Sequence, residues 1–277
     1  QMSSVSIPIK QIQSLPAFMG EVDVIKVLQL MPGVQSGTEG SSGLFVRGGS
    51  PDQNLILLDG VPVYNVSHLF GFFSVFDANA INSVELIKGG YPARYGGRLS
   101  SVLDIRLKEG NMKQFSGNAS IGLISSKLSL EAPIVKDKCS FIVSGRRTYI
   151  DLLARPLIMA ETNGDSYGGY YFHDFSAKLN YKFSDKDRLY VSGYTGDDNF
   201  YFRDKTDGDL VKGNIGWGNM TAVTRWNHVF NPKLFSNTTI TYTRYKLRNE
   251  FSFDEKENNE SDIGSFYSSS INDFAAK

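Results

Sequence analysis

The sequence predicts an α+β domain over residues 1–112, followed over 113–277 by antiparallel strands of the transmembrane β-barrel type. Three observations lead there. Helix and strand signals are mixed only in the first part of the chain. From about Phe115 onward, alternation with a period of two takes over. The connections between the later strands divide into short polar turns and long loops, and the two kinds alternate. The composition agrees: aromatics are 13%, led by 19 Phe and 14 Tyr, and 27 glycines supply turns. Lys+Arg and Asp+Glu are both 29, so the chain lacks the basic excess of a nucleic-acid binder. A single cysteine, Cys139, excludes an internal disulfide and a cysteine zinc site, and the three histidines are far apart, so neither metal nor cofactor is expected. There is no run of about 18 apolar residues, hence no membrane helix. No leader peptide is visible, and Gln1 opens in ordinary sequence, as a trimmed product would.

The elements follow in order. "GEVDVIKVLQLMPGV" predicts a helix with Val24, Val27, Leu28 and Met31 on one face, Glu21 and Asp23 in a first turn that favours negative charge, and Pro32–Gly33 as the stop. "GTEGSSG" reads as a flexible loop. Leu44 to Val46 begins a strand that breaks at Arg47–Gly48. "NLILLDGVPVY" is a strand, an Asp59–Gly60 turn and a return strand; Leu55 to Leu58 is unbroken apolar sequence, expected to be buried on both faces. "DANAINSVELIKGG" predicts a turn opened by Asp77 and a strand from Ser83 to Lys88. A glycine-punctuated loop then precedes a strand from Ser101 to Lys108.

Beyond Phe115 the strands show themselves by parity. In "FHDFSAKLNYKF" Phe175, Ala177, Leu179, Tyr181 and Phe183 share a face, and Cys139, Phe141 and Val143 do so in "CSFIVSGR". In "FSGNASIGLISSKLSLEAPI" the phase slips, with Ala119, Ile121 and Leu123 odd and Leu128, Leu130 and Ala132 even. One strand cannot swap faces without a bulge, so a tight turn near 124–126 is expected, with Ile121 and Leu130 both facing lipid. Short turns fall at 135–138, 184–187 and 231–233, long loops at 148–171, 197–213 and 250–263. This gives seven strands and the start of an eighth, with the turn and loop asymmetry of outer-membrane barrels. "LFSNTTITYTRYKL" is polar on both faces, as expected of a strand extending above the lipid.

Residues 12–110 resemble the plug domain of TonB-dependent outer-membrane receptors. The pieces that carry the resemblance are "DVIKVLQLMPGV", "FVRGGSPDQNLILLDGVPV", "INSVELIKGG" and "RYGGRLSSVLDIRLK", in that order and spacing. The later strands are similar to the start of that family's barrel. Arg94 and Arg98 depart from the small residues usual in the last plug loop. The resemblance implies a Gram-negative outer-membrane location, embedding in outer-membrane lipid, and import of a scarce solute gated by the plug. It also implies coupling to the TonB energy-coupling complex through a segment not visible before Gln1, and a surface lipoprotein lid as a further partner. It further implies plug–barrel ion pairs, for which Arg47 and Glu85 are the candidates, and substrate contact at upper plug loops containing Ser50, Asp52, Tyr64, Asn65, Tyr91 and Tyr95. An alternative role for Tyr64 and Tyr95 is to seat the plug against the barrel wall. Gly48, Asp59, Gly60, Gly89 and Gly96 are assigned to turns.

Plugged transporters use about 22 strands, so seven or eight read as part of a barrel. His68, a lone loop histidine, is expected to be neither ligand nor catalyst. "GGYPARYGG" opens no helix and is a poor phosphate loop. With scattered carboxylates and no Ser/His/Asp frame, no enzyme is expected. A signalling receptor would differ by an additional N-terminal domain. A soluble β-rich binding module or hydrolase would explain the aromatics and glycines but not the plug order.

Overall fold

The structure is a computed structural model that describes residues 4–13, 21–37, 43–206, 209–254 and 263–277. Most of the "GTEGSSG" loop, the tip at 207–208 and the connection 255–262 lie outside the described residues.

The N-terminal unit contains β1 (Ser4–Pro8), α1 (Ile9–Gln13), α2 (Val24–Gln29), β2 (Val34–Gln35), β3 (Phe45–Val46), β4 (Asn54–Leu58), β5 (Val61–Pro62), β6 (Ser67–His68), β7 (Phe73–Ser74), β8 (Ile81–Ile87) and β9 (Ser101–Leu107). Its five-stranded sheet runs β1-β8-β9-β4-β5, antiparallel except that β4 and β9 are parallel. The Asp59–Gly60 corner has φ of 50° and 88°, the paired left-handed geometry of a tight hairpin turn. Both faces of β4 are covered, which explains its unbroken apolar run. Ile56 and Leu58 join α2 in the main core, while Leu57 meets Ile87 and Val102 beneath Tyr91 and Tyr95.

Helix α2 is shorter than its sequence pattern. Asp23 is the N-cap, accepting from the Lys26 amide at 3.0 Å, and Val24, Ile25 and Leu28 are buried. The chain leaves the helix at Leu30, ahead of Pro32 and of Gly33 at φ 77°.

The second sheet has eight antiparallel strands in chain order: β10 (Ser116–Ile121), β11 (Ser125–Val135), β12 (Cys139–Thr148), β13 (Tyr167–Lys182), β14 (Asp187–Thr206), β15 (Asp209–Asn231), β16 (Leu234–Asp254) and β17 (Ile263–Ala276). The hidden turn is there. Strands β10 and β11 join through 122–124, and Ala119 lies opposite Leu128 and Gly117 opposite Leu130. The connection at 149–166 carries helix α3 (Ile150–Glu161). The expected long loop at 197–213 is instead strand: β14 continues to Thr206, β15 starts at Asp209, and the register runs unbroken to Thr206↔Asp209. Strands of 16 to 23 residues (β13 to β16) exceed the roughly 9–11 that cross hydrocarbon, so they project past any bilayer.

Parity decides what each face carries. On β13 the inward positions Asp174, Lys178 and Asn180 are buried against the N-terminal unit. The outward positions Phe175, Ala177, Leu179 and Tyr181 continue sideways in register. Leu179 is level with Val191, Thr224 and Ile240, and Ala177 with Gly193, Ala222 and Tyr242. Strand β16 therefore passes level with this apolar band at Ile240 and Tyr242 and continues above it to Asp254. Its polar Thr241 and Thr243 are buried on the inward side.

Candidate functional site: a buried polar contact between the two sheets

The N-terminal unit meets the inward face of the long strands through buried charged groups and one aromatic cluster, Phe73 with Tyr170, Phe172 and Trp217. Glu21 is the centre of one group. It pairs with Lys127 of β11 at 2.5 Å and Arg146 of β12 at 3.2 Å, and Ser125 donates to it. Burial alone would raise its pKa, but the two cations outweigh that and hold it below the usual carboxylate value. Glu21 thus binds the wall and does not serve the helix dipole as its sequence position suggests. Asp77 accepts from Asn79 N in the turn it opens, and from the Ser144 hydroxyl of β12 at 2.7 Å.

His68 is the centre of a second group. Its Nε2 lies 2.9 Å from Asp174 Oδ1 and its Nδ1 2.6 Å from Asp198 Oδ2, at 1% exposure. Both partners are acceptors, so both ring nitrogens donate and the ring is the imidazolium. Burial opposes that charge, yet the two carboxylates push the pKa up to about 9. The ring stacks on Phe172 at 4.1 Å, with Arg146 4.9 Å from the Phe172 centroid. Arg146 also reaches Asp174 at 2.5 Å and the Ser74 carbonyl at 2.8 Å. Four buried carboxylates (Glu21, Asp77, Asp174, Asp198) therefore face three buried cations (Lys127, Arg146, His68).

Next to His68 the chain makes a strained corner: Leu69, Phe70 and Gly71 have φ of 49°, 53° and 106°. The Leu69 amide holds it by donating to Tyr170 at 2.6 Å and Asp198 at 3.1 Å. Phe70 is left 70% exposed, 4.9 Å from Trp217.

A third group lies toward the short-turn end of the strands. Lys178 donates to Asp59 at 3.0 Å and to the Leu107 carbonyl at 3.0 Å, while Arg225 donates to the Asp59 carbonyl at 2.8 Å. The hairpin turn thus also carries a docking acid. Because β4 and β9 end here, their starts, Asn54 and Ser101, point toward the other end of the wall.

The residues singled out from sequence are distributed differently. Arg47 (φ 49°) and Gly48 (φ 81°) form the corner, but the Arg47 guanidinium lies along Gly89, and no ion pair joins it to the described strands. Glu85 accepts from Ser4 inside the five-stranded sheet at 2.6 Å. Neither touches the described part of the wall. Tyr64 does: its hydroxyl donates to Asp273 of β17 at 2.6 Å, and burial and that carboxylate push its pKa up to about 12. Asn65 exchanges two hydrogen bonds with Asn219 through its backbone. Tyr91 donates to the Arg98 carbonyl and Tyr95 to Asp104, so both lie over the Leu57 cluster. Ser50 and Asp52 bond to each other on the surface. Asp52, Tyr64, Asn65, Phe70 and Arg98 line one cavity of ≈ 430 Å³. Gly89 is at φ 150°, but the left-handed turn position expected at Gly96 falls one residue later, at Gly97, φ 83°.

Sequence reading missed Glu21, His68, Lys127, Arg146, Asp174 and Asp198 as one site. The signal was present: each wall residue sits on the parity opposite to the apolar face of its strand.

A family model described as "TonB-dependent Receptor Plug Domain" matches residues 2–101. The vitamin B12 transporter BtuB of Vibrio vulnificus (strain YJ016) is 28% identical over 103 residues, 35% of this chain and 17% of that protein. The ferric citrate transporter FecA, in its unliganded form, shares the fold with a TM-score of 0.58 at 10% identity, over 99% of this chain and 52% of that one. The siderophore receptor PirA of Acinetobacter baumannii does so with a TM-score of 0.52 at 16% identity, over 92% and 46%. The chain spans about half the length of these two solved receptors. With the plug match over residues 2–101, the order of the motifs and the eight antiparallel strands beside it, the chain fits a fragment of a TonB-dependent receptor, a plug domain followed by strands resembling part of such a barrel.

Proposed function

We propose that this chain supplies the plug and part of the wall of a Gram-negative outer-membrane receptor that binds a scarce solute and imports it into the periplasm. The observation that carries the reading is the chemistry of the plug–wall contact. Around one aromatic patch, Phe73 against Tyr170, Phe172 and Trp217, it is made of ion pairs and hydrogen bonds centred on Glu21, His68, Asp77 and Asp59. Polar contacts fix one geometry, yet water can replace each partner if the plug shifts. An apolar contact of similar area would resist that exchange. Pulling by the TonB complex, through a segment ahead of the plug, would supply the work. Substrate would rest against the plug surface carrying Ser50, Asp52, Tyr64, Asn65 and the exposed Phe70. BtuB, FecA and PirA are named for a vitamin, an iron chelate and siderophores, and the solute here belongs to that range of polar, chelate-sized compounds.

The test is uptake in a strain lacking the receptor, supplied in turn with ferric chelates, cobalamin and glycans. The complete receptor should restore uptake of one class. Asn65→Cys with Asn219→Cys, joined by a short thiol crosslinker, should abolish that uptake while solute binding persists. Uptake that survives complete crosslinking would refute plug gating.

A further inference from the structure

The outward face of the wall changes character along its height. From Phe183, just past the end of β13, to Phe175, and at the positions of β14 to β16 level with Tyr181 to Phe175, it is mainly apolar, a rise close to the roughly 9–11 residues that span hydrocarbon. From the top row of this band, β16 turns three cations outward in succession, Arg244 level with Phe175 and then Lys246 and Arg248 beyond the band. Arg244 is level with Met220 and Thr195, Lys246 with Gly218 and Asp197, and Arg248 with Gly216 and Asn199.

The middle strand therefore presents two glycines just where its neighbours carry long polar side chains. The result is a recess of ≈ 230 Å³, floored by Gly216, Gly218 and Met220 and walled by Asp197 on one side and the three cations on the other. The Arg248 guanidinium reaches back over it, 3.9 Å from where a Gly216 side chain would begin. Among the described residues, none of the three cations lies within 4.0 Å of a carboxylate. The acids on this face are Asp197, whose cation is His173 at 3.8 Å, and Glu250 one level beyond Arg248. The recess is thus net positive and open to the outside.

We propose that this recess binds the phosphate of an anionic lipid of the outer leaflet. The phosphate sits between Arg244, Lys246 and Arg248, and the acyl chains lie down the apolar rows beneath. The position selects the ligand. Guanidinium groups match phosphate oxygens with paired hydrogen bonds, and long cationic side chains at a hydrocarbon edge direct their charge to the headgroup level. A free anion would gain nothing from the apolar rows below, and a lipid uses both. The inference rests on reading the sheet as an outer-membrane wall, and the test separates the two.

The complete receptor, purified in detergent, would be examined by native mass spectrometry with bis-phosphorylated lipid A, with its dephosphorylated counterpart, and with inorganic phosphate as competitor. The phosphorylated lipid should bind selectively. R244Q/K246Q/R248Q should weaken it roughly a hundredfold, from three cations each contributing at the surface. Asp197→Asn should tighten it. Equal binding of the two lipids, or unchanged binding by the triple variant, would overturn the site. Displacement by millimolar phosphate alone would overturn the lipid assignment. Should the triple variant not fold, selectivity between the two lipids on the unsubstituted receptor decides. Brominated-lipid quenching of outward-facing Trp226 reports the membrane reading separately. Quenching without lipid selectivity removes only this site, whereas absence of quenching removes the wall reading and the site with it.

Discussion

Both ring nitrogens of His68 face carboxylates, and that ties the contact between plug and wall to pH. The pKa is raised from 6.5 to about 9. A raised pKa contributes stability that is fully present below the unfolded value and is lost as pH climbs through the folded value. The window is therefore about pH 6.5 to 9. Urea midpoints measured across it should fall for the natural protein. They should stay low and nearly flat for His68→Asn, and a parallel decline in both proteins would show that other groups govern the pH dependence. Leu57 tests the plug core instead. It is 4% exposed between Ile87 and Val102, so Leu57→Ala should cost about 2–5 kcal/mol through lost burial and a cavity. A loss below about half a kcal/mol in chemical denaturation would contradict the packing of β4.

At the level of elements, what could be read in advance depended on how many environments a strand meets. The plug strands and the β10–β11 turn follow from hydrophobic pattern, because each has a single dry face whose parity is visible. Ile121 and Leu130 both lie outward from opposite parity, and Ile121 is 85% exposed. Spin labels at the two positions should be relaxed alike by a lipid-soluble reagent, and one lipid-exposed with one water-exposed label would disprove the turn. The 197–213 segment was illegible for a physical reason. Asp197, Asn199, Arg203 and Lys212 face outward beyond the apolar band, and Asp198 faces inward to buried partners, so polar residues fall on both faces around Phe200 and Phe202 and the alternation is lost in the sequence. The charged contact was hidden in the same way. Arg146 and Asp174 satisfy one another and the plug only once β12, β13 and the plug are brought together, and no local spacing records that. Arg47 was legible as a corner, but what its guanidinium meets was not.

On the scale of the whole molecule, a plug held by buried charge is cooperative within itself but coupled to the wall by contacts that chaotropes and water can replace. The wall gains its stability from eight consecutively paired antiparallel strands, with register shifts only near the short turns at Pro133/Val135 and Val229/Asn231 among the described residues. The two parts should therefore separate before either is lost. Trp217 reports the separation, because it is buried in the wall and touches Phe70 at the plug corner. With Trp226→Phe removing the second indole, urea titration should show Trp217 emission shifting red at lower urea than the loss of strand signal in circular dichroism. Arg146→Ala would leave Glu21 and Asp174 buried without their shared cation, a defect of about 3–5 kcal/mol. It should move the emission transition to lower urea and leave the strand transition where it was. Arg146→Met, which keeps the volume but not the charge, should do the same, since Lys127 still faces Glu21 but nothing replaces the bond to the Ser74 carbonyl. A single transition seen by both probes, moved equally by both substitutions, would mean that plug and wall unfold as one body, and that a polar contact alone does not make the plug separable.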